Sequence, residues 1–191
     1  KSMLSENGVN APFVINAPGI VPQGITSHAF IDFSDLLPTL CDLAQISPDK
    51  NYEYDGISFA PEIFGLENKS PRNWIMALGS NPAKIENGRV KNAFNFRDRA
   101  FRDKNFKVYI DTMNKINEII ELKSDFYEEN NLIDSDREDV FSAIKKFESV
   151  LRKHPSLDAS PKYIKFKNSF YDIDSFELLK MSNKGKLKFN K

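Results

Sequence analysis

One cysteine, Cys41, and two histidines, His28 and His154, are all that 191 residues hold of the side chains that most often ligate transition metals. A single thiol excludes an internal disulfide and a cysteine-only metal cluster. The two imidazoles lie far apart in sequence. No His/Cys spacing suits a metal, no Ser/His/Asp arrangement suggests acyl chemistry, and no glycine-rich loop suggests a phosphate cradle. Surplus charge of either sign is also missing, since Lys and Arg number 27 against 27 Asp and Glu. That balance argues against a nucleic-acid binder held by backbone electrostatics, which needs a basic excess. No stretch approaches about 18 uninterrupted apolar residues, so none reads as a membrane-spanning helix. Internal repeats and low-complexity tracts are absent too.

What is present suffices for a core: 40% of residues are hydrophobic and 12% aromatic, with 16 Phe against a single Trp. The length suits one large domain or two small ones. The opening "KSMLSENGVNAPF" has neither an initiator Met nor a signal peptide. It runs directly into "PFVIN", a short apolar run of the kind buried on both faces of a parallel sheet. The expectation is therefore a chain that starts partway through a larger fold. "APGIVPQG" then reads as a loop from its Pro and Gly content. In "FIDFSDLLPTLCDLAQI", Phe33, Leu36, Leu37, Leu40, Cys41 and Ala44 recur at helical spacing, with Ser34 or Asp35 as N-cap and Pro38 tolerated in the first turn.

From Ser47 to Arg89 the pattern predicts a turn and short helix in "YDGISFAPEIFG", ending at Gly65. A strand in "NWIMALGS" and a loop in "NPAKIENG" follow. From Val90 onward three strand-like runs, "NAFNFRDRAFR", "NFKVYID" and "INEIIEL", are separated by turns and predict an antiparallel sheet. "SDFYEENNLIDSD" reads as an acidic loop. "SDREDVFSAIKKFESVLRKHP" is the clearest helix. Its apolar stripe is Val140, Phe141, Ile144, Phe147, Val150 and Leu151, and Ser135 with Glu138 fits a capping box. Residues 162–191 carry eight Lys against three acids. "YIKFKNSFYDI" within them suits an edge strand on a basic, solvated tail.

The isolated candidates have bland readings. His154 stands at a helix C-terminus, where a cation suits the dipole. His28 lies in a polar surface loop. Cys41 falls on the apolar face of its helix and reads as a small buried hydrophobe. Asn68 in "NKS" matches a glycosylation sequon, a short pattern frequent by chance. Composition and spacing alone give a soluble α/β piece.

Five stretches in order, however, resemble the C-terminal part of the sulfatase family, within the alkaline-phosphatase-like superfamily. Lys1, Glu6, Gly8, Val9 and Pro12 fall at the offsets of the family's K-x-x-x-x-E-G-G-I/V-R-x-P, and "INAPG" resembles the turn after it. "DFSDLLPTLCDLAQI" is similar to S-x-x-D-L-x-P-T-L-x-D-L-A-G, and "DGISFAPEIFG" to D-G-x-S-x-x-P-x-x-x-G. "RAFRDKNFKVYI" resembles R-A-I/V-R-x-x-x-Y-K-L, and "NEIIELKSDFYEENNL" resembles E-L-Y-D-L-x-x-D-P-x-E-x-x-N-L. Asn7, Asn10 and Gln45 depart from the pattern, standing where the family has glycine, arginine and glycine. The collinear match covers about residues 1–153.

The resemblance implies an α/β sulfatase fold, of which this chain holds the last strand and helix pieces of the large mixed-sheet domain over 1–89. A small antiparallel sheet with a packed helix would occupy 90–155, and a Lys-rich extension 156–191. It implies a sulfuric ester hydrolase acting on a sulfated sugar or aryl sulfate. The nucleophile would be a formylglycine made from Cys or Ser in C/S-x-P-x-R, beside a divalent cation, usually calcium. That motif and those metal ligands are absent from this chain, and "CDLAQ" around Cys41 does not supply them. Alone, the chain is expected to be inactive, its partner being the N-terminal part of the same protein. Lys1 matches the family lysine that contacts the sulfate group. Asn81 and Lys84, in Gly79–Gly88, are candidate substrate contacts because loops at strand ends carry specificity on such folds. A periplasmic or secreted location is also implied. Two other readings share the scaffold: a phosphatase, phosphonate hydrolase or phosphotransferase of the superfamily, and a non-catalytic accessory module.

Overall fold

A computed structural model of the chain describes residues 3–51, 53–66, 71–87 and 89–159. Lys1, Asn68 and the stretch "YIKFKNSFYDI" lie outside the described residues. The elements run in order α1 (Glu6–Val9), a 3-10 turn (Phe33–Asp35), α2 (Leu36–Leu43), α3 (Ala60–Ile63), β1 (Ile75–Leu78), β2 (Ala83–Glu86), β3 (Arg89–Asn92), β4 (Arg99–Arg102), β5 (Phe106–Ile110), β6 (Ile116–Glu121) and α4 (Glu138–Leu151). The chain divides into two compact units, Lys1–Asn81 with Phe94–Asp158, and Pro82–Ala93 with Ala159–Lys191.

In the larger unit, four strands form an antiparallel sheet in the order β1-β4-β5-β6. The β5 sequence "FKVYI" explains its central place. Phe106, Val108 and Ile110 share one face by the two-residue period of a strand, and all three are buried against α4. From α4, Val140, Ala143, Phe147 and Leu151 complete the core, and Phe101 of β4 and Ile119 of β6 join it. Trp74, just before β1, packs edge-on against Phe101 and against the His154 ring that follows α4. The His154 Nδ1 lies 2.9 Å from the Val150 carbonyl, so this histidine is part of the helix end.

Several expectations change on contact with the structure. The capping box at Ser135 and Glu138 is absent: Arg137 is the α4 N-cap, with no side-chain capping bond. The inward face of α4 takes Ala143 and leaves Phe141 exposed. "PFVIN" forms no strand. Among the described residues no strand runs beside it, and Phe13, Val14 and Ile15 stay exposed. A strand needs a neighbour to take its backbone hydrogen bonds.

α2 is rotated relative to its apolar pattern. Phe33, Leu37, Leu40 and Leu43 face outward, while Asp35, Thr39 and Cys41 are buried. Polar bonds set this inner face. The Thr39 hydroxyl donates to the Asp35 carbonyl at 2.6 Å and accepts from the Phe59 N–H at 3.0 Å. The Asp35 carboxylate accepts from the Ile57 N–H at 2.7 Å and the Asp32 N–H at 2.8 Å, and it is clamped by Arg72. The capping box here belongs to Asp32 and Asp35. Buried Cys41 and the end of α3 ahead of Gly65 agree with the sequence.

The smaller unit's described part is a hairpin. The stretch "NPAKIENG", expected as a loop, contains β2, which pairs antiparallel with β3 in the register Lys84↔Lys91 and Glu86↔Arg89. The pair Glu86↔Arg89 ends the ladder, and Asn87, next after Glu86, takes φ 53, as tight hairpin turns require.

Candidate functional site

β5 has a second face, and Lys107 puts charge on it. Lys107 and Tyr109 point away from the apolar core, where alternation alone predicts solvent. Instead the segment Leu4–Glu6 and the loop around Glu128 cover them. Lys107 is buried and its ammonium meets three acceptors: the Leu4 carbonyl, a Glu6 oxygen at 3.2 Å and a Glu128 oxygen at 2.9 Å. An ammonium has three donors, so Lys107 is saturated. Arg102 of β4 takes the other Glu6 oxygen, and the Glu6 backbone N–H donates to Glu128 at 2.6 Å. The Tyr109 hydroxyl donates to the second Glu128 oxygen. Burial, reinforced by that carboxylate, pushes the Tyr109 hydroxyl well above its ordinary value, so it stays a neutral donor. Two cations meet two carboxylates, so the cluster is formally neutral.

Its members come from three of the sulfatase-like stretches: Glu6 from the first, Arg102 and Lys107 from "RAFRDKNFKVYI", and Glu128 from "NEIIELKSDFYEENNL". Chemically the arrangement is an anchor. The Lys107 ammonium and both carboxylates find their partners inside the protein. Composition and spacing gave no hint of it, since Glu6 lies 96 and 101 residues from Arg102 and Lys107. The one available signal was a lysine on an otherwise apolar central strand.

The candidate substrate contacts are placed differently from one another. The Asn81 side-chain amide donates to the Phe94 carbonyl at 2.8 Å and to Asp158 at 3.1 Å, and its oxygen accepts from the Phe94 N–H at 3.1 Å. Asp158 also takes Arg97 at 2.9 Å and faces Arg99 at 3.5 Å. Burial pulls the Arg99 guanidinium below its ordinary value, and the Asp158 charge opposes this. Asn81 thus ties the Phe94 backbone to Asp158. Lys84, on β2, is about half exposed and lies 3.2 Å from the equally exposed Glu86, which Lys91 also approaches at 2.6 Å. Hydrogen bonds from Lys91 and Lys84 hold the Glu86 carboxyl below its ordinary value. Lys1 lies outside the described residues, so the structure does not place it.

Among the described residues, no group of three or more His, Cys, Asp or Glu side chains is arranged to hold a metal ion. The residues described do not fit a calcium site, and buried Cys41 does not fit a formylglycine precursor. No helix among them is long and apolar enough to cross a membrane.

No family model matches the chain. It is 30% identical over 121 residues to an ulvan-active sulfatase of Formosa agariphila, a match covering 63% of this chain and 22% of that protein. It is 32% identical over 72 residues to arylsulfatase G of Homo sapiens, covering 38% of this chain and 14% of that protein. Among solved structures, a 2-O GAG sulfatase is similar at a TM-score of 0.41 and 26% identity, over 62% of this chain and 23% of that one. A protein in complex with its substrate D-glucosamine-2-N,6-O-disulfate is similar at a TM-score of 0.44 and 21% identity, over 62% and 22% of the two chains. The matched part spans about a fifth of the first curated relative and a seventh of the second. Over the residues matched, the chain is similar in sequence to sulfatases.

Proposed function

We propose that the protein carrying this chain hydrolyses sulfate esters of sugars or aryl groups, and that this part of it serves as scaffold and pocket wall. The observation that carries the reading is the 30% identity over 121 residues to an ulvan-active sulfatase. The cluster on β5 supports it, because residues from three separate sulfatase-like stretches meet in one place. No similarity favours phosphoryl chemistry.

Lys1 is the sulfate contact in this reading. A compact positive charge lowers the energy of an anionic ester, and of the further charge that builds as its S–O bond breaks. Lys84 is a pocket-wall contact, with its ammonium free to exchange an exposed Glu86 partner for a sulfate. Asn81 acts at one remove, through Phe94 and Asp158. Calcium and a formylglycine nucleophile belong to the reading, supplied by other parts of the protein. So does an exported location, which fractionation of cells would test.

The decisive assay uses the enzyme containing this chain on a panel of sulfated sugars, an aryl sulfate and the matching aryl phosphate. Sulfate release is expected, with kcat/KM reduced by Lys1→Ala and selectivity within the panel altered by Lys84→Ala. Phosphate release without sulfate release overturns the reading. Unchanged selectivity in Lys84→Ala removes that residue from the pocket.

A further inference from the structure

We propose that Lys84 and Lys91 together form a subsite for a sulfate group of a sugar chain, one other than the ester being cleaved, with Glu86 occupying the subsite until such a group displaces it. The inference deepens the reading above, that the protein acts on sulfated sugars, and rests on it.

Three observations carry it. The first is the register of the hairpin, which sets Lys84 of β2 directly opposite Lys91 of β3. Like charges facing each other across an antiparallel pair destabilise it, and an anion between them relieves the repulsion. By the two-residue period of a strand, Lys84 and Glu86 share one face of β2, and Lys91 stands on that face across the ladder. Ile85 lies between them in sequence but on the other face, where it is 80% exposed. The lysines and Glu86 are therefore gathered on one side of the hairpin.

The second is the seat of the Glu86 carboxylate. Its two oxygens are divided between the lysines, with Oε1 at 3.2 Å from Lys84 Nζ and Oε2 at 2.6 Å from Lys91 Nζ. One anion thus bridges two cations on neighbouring strands, and its place marks where an anionic group fits. A sulfate ester offers three terminal oxygens where the carboxylate offers two, so it can make both bridges. The three donors of each ammonium, on a flexible stem, can turn to meet them.

The third is how lightly Glu86 is held. Two ammoniums against one carboxylate leave one positive charge over. The side chains of Lys84, Lys91 and Glu86 are 52%, 49% and 46% exposed. Ion pairs so open to water contribute little to stability, so exchanging the carboxylate for another anion costs little. The Lys107 cluster is the opposite case, with its charges buried and balanced. An exposed trio with a cation in excess is suited to binding, and the fold does not depend on it.

The test measures binding of dextran sulfate, a sulfated sugar chain, to the enzyme containing this chain. Uncharged dextran and a single-stranded DNA oligonucleotide serve as comparisons. Lys84→Ala and Lys91→Ala are each expected to raise the Kd for dextran sulfate about two- to fivefold, the scale of one exposed ion pair. Glu86→Gln is expected to lower it by a similar factor, because the competing carboxylate is gone. Lys123→Ala removes another exposed lysine and should leave Kd unchanged. An equal effect of Lys123→Ala overturns the proposal, since it reports attraction by net charge alone. A Glu86→Gln variant that binds no tighter than the parent overturns it too, as does DNA binding that follows the same pattern across the variants. Sulfate release from esters with unaltered dextran sulfate binding in all three hairpin variants overturns the subsite and leaves the sulfatase reading standing. The expected binding pattern without hydrolysis of any sulfate ester upholds the subsite and overturns that reading.

Discussion

The Lys107 ammonium stands 2.9 Å from a Glu128 carboxylate oxygen, with 1% and 6% of the two side chains exposed. Removing one member of such a pair leaves an uncompensated charge inside the protein, which costs about 3–5 kcal/mol. Lys107→Ala is expected to lose that much, because it leaves buried Glu128 without a cation and Glu6 with Arg102 alone. Lys107→Met should lose nearly as much, since charge rather than volume decides the outcome. Urea unfolding of the two variants checks this. A Met variant within about 1 kcal/mol of the parent, the value typical of exposed pairs, would mean that water already reaches the cluster.

A second prediction concerns pH. Burial raises the Asp35 carboxyl, but the Arg72 hydrogen bond, with the N–H groups of Ile57 and Asp32, outweighs it and holds the group below the ordinary carboxylate range. Arg72 moves in the matching direction, raised chiefly by its hydrogen bond to Asp35. A carboxyl whose folded value lies below its unfolded value of about 3.9 adds stability that is complete above that pH. The contribution is lost as pH falls through the folded value. Asp35→Asn is therefore expected to cost about 3 kcal/mol at neutral pH, where it breaks a buried pair. The gap between variant and parent should narrow below about pH 4. Thermal unfolding across pH 2–7 checks it, and a gap that does not change with pH would mean the charge contributes nothing.

The two predictions also mark where sequence reading stops. β4, β5, β6 and α4 were legible because alternation and helical period are properties of each segment alone. The period of α2 was legible too, but it names a face and not what covers it. Asp35 and Thr39 turned inward because Ile57, Phe59 and Arg72 offered them hydrogen bonds, and those partners come from elsewhere in the chain. The hairpin was missed although Asn87-Gly88 is a strong turn signal, since its flanking residues are too polar to read as strands. The Glu6 cluster needed three distant stretches to be brought together. A lysine within "FKVYI" shows only that one face of that strand carries charge.

Gln45 offers a test of backbone strain. The Ile46 N–H reaches the Cys41 carbonyl at 2.9 Å and the Gln45 N–H reaches the Asp42 carbonyl at 3.0 Å, the paired bonds of a Schellman helix end. That geometry puts Gln45 at φ 56, where glycine carries no Cβ penalty. The sulfatase-like pattern has glycine at this position. Gln45→Gly is expected to stabilise the protein by about 1 kcal/mol, the penalty for a side chain in this conformation less the added freedom of the unfolded chain. Gln45→Val, branched at Cβ, should destabilise it. Equal melting temperatures for the Gly and Val variants would show that the helix end relaxes out of the left-handed conformation.

Phe141 and Phe147 sit six residues apart on α4 and have opposite surroundings. Phe147 is fully buried among the sheet residues, whereas Phe141 is 56% exposed, with the Lys145 ammonium 4.3 Å above its ring centroid. Phe147→Ala removes a whole ring from a packed interior, losing both its transfer free energy and the contacts around the cavity it leaves. The expected cost is about 3–5 kcal/mol. Phe141→Ala exposes no new interior and forfeits only a surface cation–π contact of about 0.5–1 kcal/mol. Both rings belong to the stripe that the helical period draws, so periodicity alone assigns them similar costs. Chemical denaturation of the two variants separates the alternatives. Comparable losses would mean that α4 is rotated from its described position, with Phe141 turned toward the sheet.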